Sequence, residues 1–296
     1  MAESGGSRLR RRLAQAQALM APGAYDALSA LLVEQAGFEA IYLSGASISY
    51  TQLGRPDIGL TSVTQVADVV ARVRDRVSVD LIVDADTGFG NALNVGHMMR
   101  LFERAGADAV QIEDQTAPKR CGHLAGKSLV PADEMVGKIA AALDARSRDV
   151  LVIARTDAIA VEGLESALER AALYREAGAD VIFIEAPQAV EQMQRICAAF
   201  RDVHLMANMV EGGRTPILTL DQLQEMGFRL AIAPGSMVRA FAFAAQEFLR
   251  LLKANGTTAM SRDRMFDFAE INALLGLPDL SALGQRYDAR SRDAAE

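Results

Sequence analysis

The sequence is poor in cysteine, has no long apolar run and lacks an excess of basic residues. Its two cysteines, Cys121 and Cys197, provide no disulfide framework, and the Cys and His spacing of a zinc site is absent. No apolar run approaches the roughly 18 residues of a membrane span. A net charge of −7 gives no basic field for nucleic acid or an anionic membrane. We therefore expect a cytoplasmic protein that binds neither nucleic acid nor a membrane.

The length and apolar content allow one large core. The chain has 296 residues, of which 50% are hydrophobic, and about 250 residues is a common size for one α/β barrel. Two conventional domains remain possible on length alone.

Short apolar runs recur along the chain, and helical patterns with a period near 3.6 separate them. The runs are 18–22, 40–44, 81–84, 109–113, 151–155, 181–185, 204–208 and 229–234. Continuous apolar character is typical of strands that are buried on both faces of a parallel sheet. Three intervening helices are expected to stop at Gly106, Gly178 and Gly227. The pattern predicts a (β/α)₈ TIM-like barrel at 1–250 with an N-terminal helix, and a helical extension at 251–296. A doubly wound open sheet is the alternative.

Polar residues follow most of the predicted strands. They are Ser44, Asp84 with Asp86, Glu113, Arg155, Glu185 and Asn208. In a barrel these ends meet at the C-terminal mouth, where active sites lie. Acids that converge there would repel one another unless a ligand binds between them. The plain alternative is that polar residues simply follow any buried strand where the chain returns to solvent.

Four acids are candidates for a metal site. Asp84 and Asp86 lie two apart and share a face, Glu113 ends the next strand, and Asp57 lies in a loop. Carboxylates favour a hard cation, and Mg²⁺ takes one or two of them directly while keeping several waters. Helix caps or solvated loop acids are the plain alternative.

A loop after the fourth strand carries Lys119-Arg-Cys-Gly-His123. Positive neighbours favour the thiolate of Cys121, which could then serve as an acid or a nucleophile near neutral pH. Long loops on barrels are often lids, although an exposed loop with an incidental thiol is the plain alternative. Cys197 instead lies on an apolar helix face and is expected to be buried.

An arginine and a Ser-Gly turn complete the predicted mouth. Arg155 follows an apolar strand, so it should pair with Glu185 or with the substrate. Ser44, Gly45 and Ala46 offer a hydroxyl and backbone N–H groups to an anion, although Ser-Gly pairs are common in turns.

From about residue 14 to 277 the sequence resembles the isocitrate lyase/phosphoenolpyruvate mutase superfamily. The resemblance rests on six motifs, YLSGA at 42–46, GRPD at 54–57, VDADTGFG at 83–90, QIEDQ at 111–115, PKRCGH at 118–123 and ARTDA at 154–158. The KRCGH run is similar to that of the carbon–carbon lyase branch, which includes the 2-methylisocitrate and 2,3-dimethylmalate lyases.

The resemblance implies a role for each motif. Asp84 would bind Mg²⁺ directly, and Mn²⁺ could replace it, while Asp57, Asp86 and Glu113 would act through waters. The substrate would be held by Ser44, Gly45, Ala46, Arg155, Glu185, Asn208 and Gly235. Lys119, Cys121 and His123 would belong to a gating loop, and Tyr42, Asp57 or a metal-bound water would remove a proton. The family also implies a homotetramer that exchanges a C-terminal helix, here near 266–275.

The implied reaction is cleavage of a 2-hydroxy di- or tricarboxylate, of the 2-methylisocitrate or substituted malate type, into pyruvate or glyoxylate and a second carboxylate. Gly235 departs from the 2-methylisocitrate lyases, which have leucine there, so the substrate stays open. The alternatives are an oxaloacetate hydrolase or decarboxylase, a phosphonopyruvate-type enzyme, and a non-enzymatic metal-dependent dicarboxylate-binding protein.

Overall fold

The structure is a computed structural model that describes residues 5–122 and 126–288. The described residues form two compact units, one ending at Arg239 and the other beginning at Ala240. The boundary expected from the sequence, between residues 250 and 251, falls inside the helix Ser236–Asn255. None of the helices in the described ranges is both long and apolar enough to cross a membrane.

Within the described residues, eight parallel strands close into a barrel in chain order, with the first strand pairing to the eighth. They are β1 Leu19–Ala24, β2 Ala40–Leu43, β3 Asp80–Asp84, β4 Ala109–Glu113, β5 Leu151–Thr156, β6 Val181–Ile184, β7 His204–Asn208 and β8 Leu230–Ala233. Nearly every strand residue is buried because the barrel interior covers one face and the helices cover the other. The predicted barrel is confirmed, and its strands agree with the apolar runs to within two residues.

Among the described residues, one α-helix precedes β1 in the chain, eight lie between successive strands, and three follow β8. They are α1 Gly5–Leu13, α2 Ala27–Gln35, α3 Gly45–Ile48, α4 Val63–Arg76, α5 Ala92–Ala105, α6 Ala132–Ala145, α7 Leu164–Glu176, α8 Val190–Ala199, α9 Leu220–Met226, α10 Ser236–Asn255, α11 Phe268–Leu274 and α12 Leu277–Tyr287. As predicted, α5 ends at Gly106 (φ 104°) and α9 at Gly227 (φ 122°). These positive φ angles favour glycine because it has no Cβ.

The N-terminal helix closes one end of the barrel. Leu9 and Leu13 of α1 are fully buried and join the apolar side chains inside the barrel, such as Ile82 and Phe183. This packing leaves the opposite, C-terminal end of the barrel for a site.

Ion pairs hold α1 against the starts of the strands. Arg8 lies 2.6 Å from Asp80, the first residue of β3. Arg10 lies 2.7 Å from Asp149, before β5, and 2.7 Å from Asp180, before β6. The contacts of α1 are therefore made to segments far along the chain.

In the second unit, the apolar helix expected near 266–275 is observed as α11. Several large apolar side chains of this unit are exposed in the single chain, among them Phe266, Phe268, Leu277, Leu280 and Tyr287. Exchange of this helix between subunits stays a prediction.

Candidate active site

The C-terminal ends of the strands surround a cavity of about 50 Å³. It is lined by most of the predicted site residues, namely Tyr42, Ser44, Ala46, Asp57, Asp84, Lys119, Cys121, Arg155, Glu185 and Asn208. One water needs roughly 10–15 Å³, so this space suits a few waters rather than a dicarboxylate. A wall of the cavity must therefore move before a substrate can enter.

Asp84, at the end of β3, is oriented by three donors. Its Oδ2 accepts the N–H of Gly45 at 3.2 Å. Its Oδ1 accepts Nε2 of Gln111 at 3.3 Å and the N–H of Asp86 at 3.2 Å. This carboxylate therefore has a fixed direction at the base of the cavity.

Lys119 lies between two of the predicted acids. Its Nζ is 2.5 Å from Oδ1 of Asp57 and 2.6 Å from Oδ1 of Asp86. Burial lowers the pKa of Lys119, but the surrounding carboxylates outweigh burial and hold that pKa well above its ordinary value. Burial raises the pKa of Asp86 to about 7 despite the nearby ammonium group.

The acids do not form a ready-made metal cage. Among the described residues, no three Asp, Glu, His or Cys side chains are arranged to hold a metal ion. Glu113, the fourth predicted ligand, turns toward Arg155, with 3.3 Å between its Oε2 and Nε. A positively charged lysine thus lies where the sequence alone suggested only carboxylates.

Three observations nevertheless fit a hard cation. The buried side chains here include six acids, Asp57, Asp84, Asp86, Glu113, Asp157 and Glu185, and three cations, Lys119, Lys127 and Arg155. Oε1 of Glu113 is buried and accepts no hydrogen bond from the described residues. A Cβ on Gly45 would lie 3.1 Å from Asp84 Oδ2 and 3.2 Å from Asp86 Oδ1, so both oxygens border one small space. Excess buried negative charge is costly without a further cation.

Arg155 has a closer partner than the sequence suggested. Its guanidinium binds Asp157 through two hydrogen bonds, 2.9 Å from Nε and 3.0 Å from Nη2. Glu185, which the sequence offered as a partner beside the substrate, lies farther away, at 3.4 Å from Nη1. Asp157 is nearer because it lies two residues along the same strand end, where its side chain points the same way.

The loop that bears Cys121 folds directly over Arg155. The N–H and C=O of Arg120 bond to Oε1 and Nε2 of Gln115, at 2.9 and 2.8 Å. A Cβ on Gly122 would lie only 2.4 Å from Nη2 of Arg155. Only glycine allows this approach, which places Cys121 at the cavity wall.

The two cysteines have different environments. Cys121 is partly exposed at the cavity, whereas Cys197 is buried in α8 as expected. Burial raises the pKa of Cys197 to about 12. His123, the remaining residue predicted in the loop, lies outside the described residues.

The Ser-Gly turn makes hydrogen bonds within the fold. Ser44 Oγ accepts the N–H of Ser47 at 3.2 Å and so caps α3, while the Gly45 N–H is used by Asp84. The Ser44 hydroxyl accepts in this bond and can still donate its own proton, so anion binding by this turn stays a prediction. Ala46 remains at the cavity.

The last strands contribute Glu185 and Asn208. Nδ2 of Asn208 donates to Oε2 of Glu185 at 3.0 Å, while its buried Oδ1 has no hydrogen-bond partner in the described ranges. Pro234 lines the cavity, but Gly235 does not. The group nearest a Cβ on Gly235 would be Nε of Arg239, at 3.7 Å.

Sequence reasoning missed three buried members of this network, Gln111, Lys127 and Asp157. Gln111 had a signal, because it is a polar residue inside an otherwise apolar strand. Nε2 of Gln111 binds Asp84, and its Oε1 accepts from the Tyr42 hydroxyl at 2.8 Å. Nothing in the sequence marked Lys127 as a buried site residue, since a lysine in a loop is usually solvated.

Strained backbone occurs next to the site. Asp86 has φ 47° and Ala186 has φ 59°, both in the left-handed region that side chains rarely adopt. Each follows a strand end that carries a candidate residue. Strain of this kind is concentrated at functional sites because the surrounding fold must hold it.

A larger groove, of about 580 Å³, lies at the opposite end of the barrel and is lined by residues such as Cys197, His204 and Arg229. Its size makes it the more obvious cavity, but it lies at the starts of the strands. The acids and the cysteine loop converge on the smaller cavity, so we assign the candidate active site there.

Comparison with known proteins identifies a family that the chain matches over most of its length. Residues 9–253 match the sequence profile of the phosphoenolpyruvate phosphomutase family. The chain is 46% identical to a 2-methylisocitrate lyase of Aeropyrum pernix, across 99% of this chain and 94% of that protein. It is 41% identical to the 2,3-dimethylmalate lyase of Eubacterium barkeri, across 95% and 97%.

Solved structures add two other activities. A crystal structure of 2,3-dimethylmalate lyase has a TM-score of 0.93 at 34% identity, covering 98% of this chain and 97% of that one. Oxaloacetate acetylhydrolase with 3,3-difluorooxalacetate scores 0.91 at 32% identity, covering 97% and 98%. Phosphonopyruvate hydrolase with oxalate and Mg²⁺ scores 0.88 at 32% identity, covering 96% and 99%.

The resemblance stated from the sequence is confirmed, and the two curated relatives described above are named as lyases. The chain is an enzyme of the phosphoenolpyruvate mutase/isocitrate lyase superfamily.

Proposed function

We propose that this enzyme is a Mg²⁺-dependent carbon–carbon lyase acting on a 2-hydroxy di- or tricarboxylate of the substituted malate or 2-methylisocitrate type. The observation that carries the proposal is the position of Cys121, a proton donor, on the same small cavity as Asp84 and Arg155. Cleavage of this kind leaves a carbanion on carbon 3, and the carbanion needs a proton from an acid such as this thiol.

The acids around Lys119 would hold the cation. Asp84 would be the direct ligand, because its fixed carboxylate borders the space at Gly45. Asp57, Asp86 and Glu113 would act through waters, and Mn²⁺ could replace Mg²⁺. When bound, the ion would supply positive charge that polarises the hydroxyl and adjacent carboxylate of the substrate.

The reaction would break the bond between carbon 2, which bears the hydroxyl, and carbon 3. The hydroxyl proton leaves, and the carbon 2 oxygen becomes the carbonyl of pyruvate or glyoxylate. The electron pair stays on carbon 3 beside its carboxylate, where Arg155 and Lys119 would stabilise the charge. Carbon 3 then takes the proton of the Cys121 thiol.

Tyr42 would contact the substrate but would not remove its hydroxyl proton. Its hydroxyl already donates to Gln111, and burial raises its pKa well above the ordinary value, so the ionised form is disfavoured at neutral pH. Asp57, which lines the cavity, would be the better candidate for the base.

The active enzyme would be a homotetramer that exchanges its C-terminal helix. The support is the set of exposed apolar side chains in the second unit, including Phe266 and Phe268. Covering them in an oligomer would remove apolar surface from water.

Product analysis tests the proposed function and separates it from its rivals. The purified enzyme is incubated with Mg²⁺ and either 2,3-dimethylmalate, 2-methylisocitrate, oxaloacetate or phosphonopyruvate. Pyruvate with propionate, or pyruvate with succinate, supports the lyase. Oxalate with acetate would establish the hydrolase instead, and release of phosphate would establish phosphonopyruvate chemistry. Binding of these acids with no turnover of any would indicate the dicarboxylate-binding protein.

A further inference from the structure

We propose that Lys127 and Asp157 form a latch that holds the cysteine loop, defined by the described residues 119–122 and 126–127, closed against Arg155. Both would be positioning residues rather than catalytic ones. The inference rests on the proposed function for its kinetic consequence, but not for the closure itself.

Asp157 is the fixed half of this latch. It is fully buried, and its backbone N–H donates to Oδ1 of Asp114 at 3.0 Å. Its two carboxylate oxygens bind Nε and Nη2 of Arg155. A bidentate pair fixes the plane of a guanidinium group, so Asp157 sets the orientation of Arg155, which lines the cavity.

Lys127 is the movable half. Its side chain is only 1% exposed, although the residue belongs to a loop, and its Nζ lies 2.7 Å from Oδ1 of Asp157. The same ammonium group donates to the carbonyl of Gly122. A lysine loses hydration when it is buried, so this placement requires both acceptors.

Gly122 connects Lys127 to the neighbouring residue that carries the thiol, Cys121. It rests so closely on Arg155 that a Cβ there would also lie 2.7 Å from Cγ of Glu185. The adjacent residue is Cys121, which lines the cavity. When Lys127 holds Gly122 down, it therefore also holds the thiol in place.

The Asp157 carboxylate thus binds both Arg155 in the barrel wall and Lys127 in the loop. Because Asp157 binds both Arg155 and Lys127, loop closure and Arg155 orientation are coupled. Since a dicarboxylate needs more room than the closed cavity offers, the latch must open and close in each turnover.

Alkylation of Cys121 measures closure without any substrate. Iodoacetamide labelling rates are compared for the Cys197→Ala protein with and without Lys127→Met, and the labelled peptide is identified by mass spectrometry. We expect Lys127→Met to raise the rate for Cys121 at least about tenfold, equivalent to about 1.4 kcal/mol in the closing equilibrium. Lys127→Arg should restore slow labelling because it can still pair with Asp157.

Arg146→Met is the matched control. Arg146 pairs with Asp180 at 3.0 Å at the other end of the barrel, so its loss removes a similar ion pair far from the loop. It should leave Cys121 labelling unchanged. Asp157→Asn should mimic Lys127→Met, and the double variant should add little if the two act as one unit.

Kinetics supply the second readout. With a cleaved substrate, Lys127→Met should lower kcat more than it raises KM, because closure is needed for the protonation step rather than for first contact. Unchanged Cys121 labelling in folded Lys127→Met would overturn the latch. Fast labelling in a protein that cleaves none of the four acids would instead uphold the latch and reject the proposed function.

Discussion

The Nζ atom of Lys119 lies almost equally far from Asp57 and Asp86, at 2.5 and 2.6 Å from their Oδ1 atoms. This one ammonium group cancels only one of the two negative charges of these carboxylates. The charge left over, together with that of Asp84 and Glu113, is what a divalent ion would neutralise.

Removal of divalent metal should therefore abolish turnover. Acid groups left without a cation cannot polarise the substrate hydroxyl, so dialysis against a chelator should reduce product formation to background. Addition of Mg²⁺ or Mn²⁺ should restore it. Full activity in excess chelator would remove the metal from the proposal.

Cys121→Ser should lower kcat by at least about 100-fold, the scale of a lost general acid. A serine hydroxyl keeps the shape but gives up its proton far less readily, while product binding should persist. Cys197→Ser is the control, because Cys197 lies in α8 away from the cavity. Comparable loss in both variants would mean that the cysteines serve folding rather than chemistry.

Gly122→Ala should reduce kcat strongly while leaving the thermal stability of the barrel almost unchanged. The added Cβ would fall 2.4 Å from Nη2 of Arg155, so the loop could no longer close. Gly137→Ala, at an exposed position of α6 with nothing near its Cβ, is the matched control and should be neutral or stabilising by up to about 1 kcal/mol. Equal kinetics in the two variants would refute the close approach.

Gly235→Leu should change substrate preference rather than abolish activity. The unmodified enzyme should prefer malates with larger alkyl groups, and the leucine should lower kcat/KM more for these than for compact malates. Differences of this kind are worth about 1–3 kcal/mol. Because Arg239 is the nearest group, leucine at 235 must also displace its guanidinium. Identical kcat/KM ratios in both proteins would show that Gly235 has no part in specificity.

Asp80 should make stability fall as pH rises. Burial raises the pKa of Asp80 to about 6, with Arg8 opposing and Asp108 adding to the shift. Between about pH 4 and 6 the folded state therefore binds more protons than the unfolded state, and the free energy of unfolding decreases through this window. Relative to Asp80→Asn, the wild type should lose about 2 to 3 kcal/mol by pH 7.

Urea unfolding from pH 4 to pH 8 measures this difference. Asp149 is a control of opposite sign, because its hydrogen bond from Arg10 lowers its pKa. Its contribution should be present at neutral pH and lost as pH falls. A difference between wild type and Asp80→Asn that stays constant with pH would contradict the assignment.

The sequence was sufficient for the barrel because its signal is local. Strands buried on both faces need continuous apolar residues, and these runs located all eight described strands. The set of residues at the mouth followed from the topology, since parallel strands end together. Asp84, Arg155 and Cys121 could be placed in one cavity on that basis.

Pairings within the mouth could not be derived in the same way. Whether Arg155 binds Asp157 or Glu185 depends on side-chain rotamers and on distances of a few tenths of an ångström. The burial of Lys127 depends on how a loop folds back, which no periodicity records. Gly235 was expected in the cavity wall, and the residue found lining the cavity there is its neighbour Pro234, so a role of Gly235 in specificity stays a prediction.

The ion pairs of α1 have a consequence for biosynthesis. Arg10 binds Asp180, which follows it by 170 residues. A ribosome adds about 5–20 residues per second, so roughly 10 to 30 s pass before that partner has been made. Leu9 and Leu13 have no complete barrel to enter during this interval. Helix α1 is therefore among the last helices to dock, and its two leucines stay exposed until the eighth strand, which closes the barrel, has emerged.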